Sequence, residues 1–458
     1  MTARRLLLED VLLPTGWARD VVLEIESGWI RAVLPGGAAE GCERIPGIAL
    51  PGLPNLHSHT FQRAMAGLAE IRGPGEDSFW TWRGVMYGFL GRLTPEEVQA
   101  VAAQAMVEML EGGFTALAEF HYLHHDPAGR PYANPAEMGA RVAAAAAETG
   151  IGLTLLPVLY SQGGFGAQPA TPGQARFLHD VDGYARLLDA SARAVAPVED
   201  AALGMAPHSL RAVSPEGLRA MLEIRRDGPV HIHAAEQLRE VEECLAWSGQ
   251  RPVAWLLSNA PVDRRWCLVH ATHMDPAEVE GLARTGAVAG LCPITEANLG
   301  DGVFEAPAFL TAGGRLGVGS DSNVEITAPG ELRMLEYSQR LARRGRNLLA
   351  AAPGASTGRS LYEAALAGGS AACGRRIGRI EPGHRADLAV LDRSHPSLSL
   401  AEGDGWLDAL VFSAGAAALD SVVVGGRTLV SGGRHHRREA IARRYRAAMA
   451  GLAGRAAG

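Results

Sequence analysis

PGLPNLHSHT, residues 51–60, follows the apolar run IAL of residues 48–50 and sets His57 and His59 two positions apart. In a strand, side chains i and i+2 share a face. Both imidazoles can therefore address one ion. The same ending, a hydrophobic run closed by a polar residue, recurs along the chain. The candidate strands are ALPGLPNLHSH (49–59), TALAEFHYL (115–123), IGLTLLPVLY (151–160), ALGMAPHSL (202–210), PVHIHAAE (229–236), WCLVHATH (266–273), AVAGLCPIT (287–295) and RLGVGSD (315–321). Between them lie helical stretches such as PEEVQAVAAQAMVEMLEGG (95–113), PAEMGARVAAAAAETG (135–150) and PEGLRAMLEIRRDG (215–228). Eight strands with intervening helices fit an α/β fold of the (β/α)8 TIM-like barrel type. An open doubly wound sheet is the rival. The barrel is favoured because its strand C-termini converge on one mouth, which would gather the polar strand ends.

Five of those polar residues, His57, His59, His233, His270 and Asp321, have the chemistry of a metal site. Imidazole and carboxylate suit Zn2+, with Fe2+ also compatible, in a site that keeps a position open for water. His231 could be a ligand by alternation, but His233 lies nearer the strand's end and nearer Glu236. Glu236 is placed to move a proton onto a leaving nitrogen. Asp321 can ligate and accept a proton. His270 is either a further ligand or a group that orients the water and stabilises developing charge. The chain has no lysine, so no carboxylated lysine can bridge two ions. One ion per chain is expected.

The rest of the composition narrows the class. The chain has 458 residues, 47% hydrophobic and 20% charged, an ordinary globular profile. Its net charge of -7 argues against a nucleic-acid partner. No run approaches a membrane span, and the charged N-terminus does not read as a signal peptide. The cysteines, Cys42, Cys244, Cys267, Cys292 and Cys373, are scattered and form no CxxC pair. They read as reduced thiols of a cytoplasmic protein. A homodimer is compatible with the sequence but not required by it. Both chain ends are rich in short strands punctuated by Gly and Pro. The expected division is a first part of a small β-sandwich over 1–50, a catalytic barrel over 51–373, the second part of the sandwich over 374–434, and a closing helix over 435–458.

NLHSHTFQRAMAG (55–67), HIHAAEQ (231–237), LVHATHM (268–274), CPITEANLGDG (292–302) and GVGSDSN (317–323) resemble the amidohydrolase superfamily, in its branch with one metal. FHYLHHDPAGRPY (120–132), CLAWSGQRPVAWLL (244–257) and ELRMLEYSQRLARRGRN (331–347) resemble the formimidoylglutamate deiminases of histidine degradation. The resemblance implies a distorted barrel with a β-sandwich, a single zinc, and hydrolysis of N-formimino-L-glutamate to N-formyl-L-glutamate and ammonia. It implies His57, His59, His233 and Asp321 as ligands, with Glu236 and His270 catalytic. A small-molecule substrate with two carboxylates needs arginines at the mouth, since the bidentate guanidinium fork matches a carboxylate. Arg211 and then Arg83 are the candidates. By comparison with the family, Gln62, Tyr122 and His208 complete the pocket. The aromatic group Phe79, Trp80 and Trp82 reads as a lid or as core. Two rival functions remain: a guanine- or purine-type aromatic base deaminase, and a non-catalytic scaffold relative. The first needs a flat pocket with amide contacts. The second usually lacks ligands, and none is missing here.

Overall fold

The computed structural model describes residues 4–456. Eight parallel strands follow one another around a closed ring. In chain order they are Leu53–Ser58, Phe114–His121, Gly152–Leu159, the pair Ala202–Leu203 and Ala206–Pro207, Val230–Ala234, Trp266–His270, Val288–Leu291 and Arg315–Val318. Bridges Met205–Val230 and Ser209–His233 join the fourth strand to the fifth, and Ser58–Asp321 joins the chain after the eighth to the first. An open sheet has no such closing contact, so the barrel reading holds. The strands read as continuous apolar runs because helices cover them outside and side chains fill them inside. The fourth strand is shorter than its sequence suggests. Gly204 lies so close to Leu156 and to the carbonyl of Pro229 that a Cβ would meet both at 2.5 Å. The chain bends there, and pairing resumes only at Ala206.

The outer helices begin where local chemistry says they should. Pro95–Glu111 starts behind Thr94, whose hydroxyl accepts from the Glu97 amide while the Glu97 carboxylate accepts from the Thr94 amide. Pro95 occupies the first turn, where its missing N–H costs nothing. Val98, Val101, Ala102, Ala105, Met106 and Met109 of this helix are fully buried.

Strands from both chain ends share one eight-stranded mixed sheet. Strand Glu43–Pro51 pairs with Leu388–Leu391 on one side and Arg4–Leu13 on the other, and two residues later the chain enters the first barrel strand. The sheet has its own core, which includes Leu6, Leu8, Val21, Leu23, Val390 and Val423. The terminal helix Arg438–Ala456 lies against Pro95–Glu111. It is held there by ion pairs of Arg438 with Glu111 and Arg455 with Glu97.

Candidate metal centre and reaction cavity

The mouth of the barrel is built where strands stop being regular. Ala235, His270 and Asp321 have φ of 52°, 66° and 42°. Such left-handed conformations are unfavourable for residues with a Cβ and persist only when the surroundings enforce them. For Ala235 and Asp321 the enforcement is visible. Glu240, itself buried, accepts the amides of Ala235 at 3.2 Å and Glu236 at 3.3 Å, which fixes the turn that presents Glu236. The Asn323 amide donates to the carbonyls of Asp321 at 2.9 Å and His59 at 3.0 Å. The His59 amide donates to the Asp321 carbonyl at 2.9 Å, and the Asp321 amide to the His57 carbonyl at 3.0 Å. Gly319 allows this approach, since a Cβ there would stand 2.6 Å from the His57 carbonyl oxygen.

The turns bring the metal candidates together. His233 Nε2 lies 3.2 Å from His57 Nε2. Asp321 Oδ1 lies 3.4 Å from His57 Nε2 and 3.3 Å from His59 Nε2. The Nδ1 of His59 faces the Phe120 carbonyl at 2.8 Å, and that of His233 faces the His208 carbonyl at 3.0 Å. A ring nitrogen against a carbonyl must carry the proton, so each Nε2 lone pair points inward. Burial pushes the His57 pKa down to about 3 and lowers His59 and His233 as well. All three are held neutral, the form that ligates. Burial works against the Asp321 carboxylate, but the His57 hydrogen bond and the neighbouring rings keep it ionised. A tetrahedral ion with ligands at about 2.1 Å has ligand–ligand edges of about 3.4 Å. The observed spacings match that figure, so this donor set fits one ion. His231 turns away and meets the Ala372 carbonyl at 2.8 Å.

The other expected residues share one cavity with this cluster. Gln62, Arg83, Tyr122, His208, Arg211, Glu236 and His270 all line it. His270 Nδ1 lies 3.2 Å from Glu296, and its Nε2 lies 3.7 Å from Glu236 and 4.0 Å from Asp321. Burial opposes a charge on His270, yet Glu236 and Glu296 outweigh it and hold the ring protonated. Burial raises Glu236 above the ordinary carboxylate range. The Gln62 amide donates to the Tyr122 hydroxyl at 2.7 Å, and Gln62 Oε1 is buried without a partner among the described residues. His208 packs on Tyr160 with ring centroids 4.6 Å apart and is kept neutral by burial and by Arg211.

Three guanidinium groups gather around Trp80, and two of them, Arg83 and Arg211, line the cavity. The central carbons of Arg83, Arg211 and Arg239 lie 4.6, 5.7 and 4.4 Å from the centre of the Trp80 ring. One indole thus supports three cations. Arg211 is only 7% exposed, and its Nε has no partner among the described residues. Burial opposes its charge, but Glu240 and Glu236 restore it. Sequence reading missed Arg239, Glu296 and the buried Asp301, which accepts from Gln237. Arg239 and Glu296 sit in helices and Asp301 in a loop, with no strand-end pattern to mark them.

Residues 48–429 match the family model described as the amidohydrolase family. The chain belongs to the amidohydrolase family. It is 54% identical over 441 residues to a formimidoylglutamate deiminase of Pseudomonas aeruginosa, covering 95% of this chain and 97% of that one. It is 30% identical to a 5-methylthioadenosine/S-adenosylhomocysteine deaminase of Haloarcula marismortui, covering 83% and 82% of the two chains. Among solved structures, an amidohydrolase from Brucella melitensis superposes with a TM-score of 0.94 at 49% identity, covering 98% of this chain and 99% of that one. Among the described residues no helix is long and apolar enough to cross a membrane.

Proposed function

We propose that this amidohydrolase hydrolyses N-formimino-L-glutamate to N-formyl-L-glutamate and ammonia, using one divalent ion, Zn2+ by its donor set. The observation that carries the reading is a single cavity lined both by members of the histidine–aspartate cluster and by buried Arg211, which has no ion-paired acid among the described residues. The similarity to the Pseudomonas aeruginosa deiminase over nearly the whole chain supports the substrate. His57, His59, His233 and Asp321 would hold the ion. When bound, it supplies Lewis-acid activation of water.

The chain's own residues account for the rest. The formimino carbon bears two nitrogens and is electrophilic. Water adds to it, giving a tetrahedral intermediate. Glu236 takes up a proton and returns it to the leaving nitrogen, so ammonia departs and the formyl group stays on the amino acid. His270, oriented by Glu296, stabilises the charge that develops on oxygen. Arg211 and Arg83 fork the two carboxylates. The cavity is about 50 Å3, room for a few waters only. The helix Phe79–Leu90 brings Phe79, Trp82, Arg83, Met86 and Tyr87 to its wall, and displacement of that helix would open the cavity to substrate.

Ammonia release is the direct test of substrate. Turnover of formiminoglutamate with no turnover of guanine or methylthioadenosine is expected; the reverse would transfer the site to the base deaminases. Metal analysis provides a second check. Purified protein is expected to hold about one divalent ion per chain, and a reproducible value near two would sink the single-ion reading. Removing the ion should leave the melting transition largely in place, because the barrel core does not depend on it. A third check concerns the aromatic helix. Proteolytic cleavage within residues 67–78 is expected to slow when N-formylglutamate is bound, since closure orders the segment leading into the helix. An unchanged cleavage rate would make Phe79–Leu90 a fixed wall.

A further inference from the structure

A second cleft, of about 750 Å3, lies at the opposite end of the barrel from the metal candidates. Pro51, just before the first barrel strand, and Arg315, the first residue of the eighth, both border it. One face of helix Thr357–Cys373 and the segment after it form another wall. The volume falls in the range of small-molecule sites, roughly 300–1,000 Å3. Its composition is selective. Leu13 and Leu366 give an apolar floor, and arginines outnumber acids along the rim, where Glu363 is the one carboxylate among the described lining residues. That is unusual for a chain of net charge -7.

The arginines divide into two groups. Arg359 is paired with Glu363 at 2.5 Å and Asp404 at 3.0 Å, Arg375 with Asp200 at 2.6 Å, and Arg379 with Glu381 at 3.0 Å. Arg315 and Arg376 make no side-chain hydrogen bond or ion pair with any described residue. Two unpaired guanidinium groups over an apolar floor match an anion that carries an apolar body. We propose that this cleft binds a small organic anion. Arg315 and Arg376 take its charged group, and Leu13 and Leu366 cover its apolar part.

The probe is 8-anilinonaphthalene-1-sulfonate, titrated by fluorescence into the full-length, metal-loaded protein. The expected result is one probe per chain, not displaced by excess N-formylglutamate. Affinity should fall about tenfold or more in the double variant Arg315→Ala/Arg376→Ala, the loss expected for two charge-assisted contacts. Ala367→Trp, which fills the cleft while keeping both arginines, should also exclude the probe. The neutral N-phenyl-1-naphthylamine should bind weakly and ignore the double variant. Turnover of formiminoglutamate should stay within about twofold in all variants, because none of these residues lines the reaction cavity. Undiminished probe binding in the double variant overturns the proposal. So does equal binding of the neutral amine, which would make the cleft merely apolar. A wild-type dimer that dissociates in the double variant also overturns it, since the arginines would then face a second copy.

Discussion

Glu236→Gln is expected to lower kcat by about 10²-fold or more, at unchanged metal content and melting temperature. The substitution keeps size and shape but removes the group that carries a proton, and general acid–base groups contribute about 10²–10⁴-fold. The local structure supports a clean result. The turn that presents Glu236 is held through backbone amides of Ala235 and Glu236, both accepted by Glu240. None of those contacts uses the Glu236 side chain. The glutamine variant therefore keeps its position and loses only its proton chemistry. KM should change little if the arginines hold the substrate's carboxylates as proposed. A metal-replete variant with near-normal kcat would return Glu236 to the status of a buried carboxylate without a role. A variant that loses its ion would show instead that Glu236 supports the ligands.

The barrel and most of the reaction cavity could be read from sequence because both follow short-range rules. A strand's side chains alternate, so His57 and His59 declare a shared face. The position of a polar residue at the end of an apolar run declares which end of the strand it occupies. These two rules bring His57, His59, His233, His270 and Asp321 to one place once the sheet closes. The same logic separates His233 from His231, which the structure sends to the Ala372 carbonyl. What could not be read depends on contacts distant in the chain. Arg239 is the second residue of a helix and would pass for a solvated charge; only the fold brings it over Trp80. Glu296 orients His270 across 26 positions of sequence. The break in the fourth strand comes from Gly204 pressed between Leu156 and Pro229, a packing fact with no local signature beyond a glycine. Trp80 was legible as one of an aromatic group, but not as the ring on which three guanidinium groups meet.

Arg211→Ala is expected to cost about 2–4 kcal/mol in kcat/KM for formiminoglutamate, since truncation leaves a substrate carboxylate buried and unpaired. The chain's net charge of -7 repels a dianion at long range, so the attraction must be local. Arg211 is best placed to supply it, being buried with no acid ion-paired to it among the described residues. Arg211→Lys should recover little, because a point charge does not reproduce the bidentate fork. Arg83 sits on the covering helix and also stacks near Tyr87 at 5.6 Å, so Arg83→Ala removes a less enclosed contact and should cost less. Formiminoglycine, which lacks the side-chain carboxylate, should be a poor substrate of the unmodified enzyme. It should also be insensitive to whichever arginine reads that distal group. Both substrates measured on both alanine variants form a cycle that assigns each arginine to its carboxylate. Arg239→Ala adds a control: its guanidinium is tied to Glu243 at 2.6 Å, so a small effect on both substrates is expected. If Arg211→Ala and Arg83→Ala both leave formiminoglutamate turnover unchanged, the cationic wall does not read carboxylates, and a dianionic substrate loses its physical support.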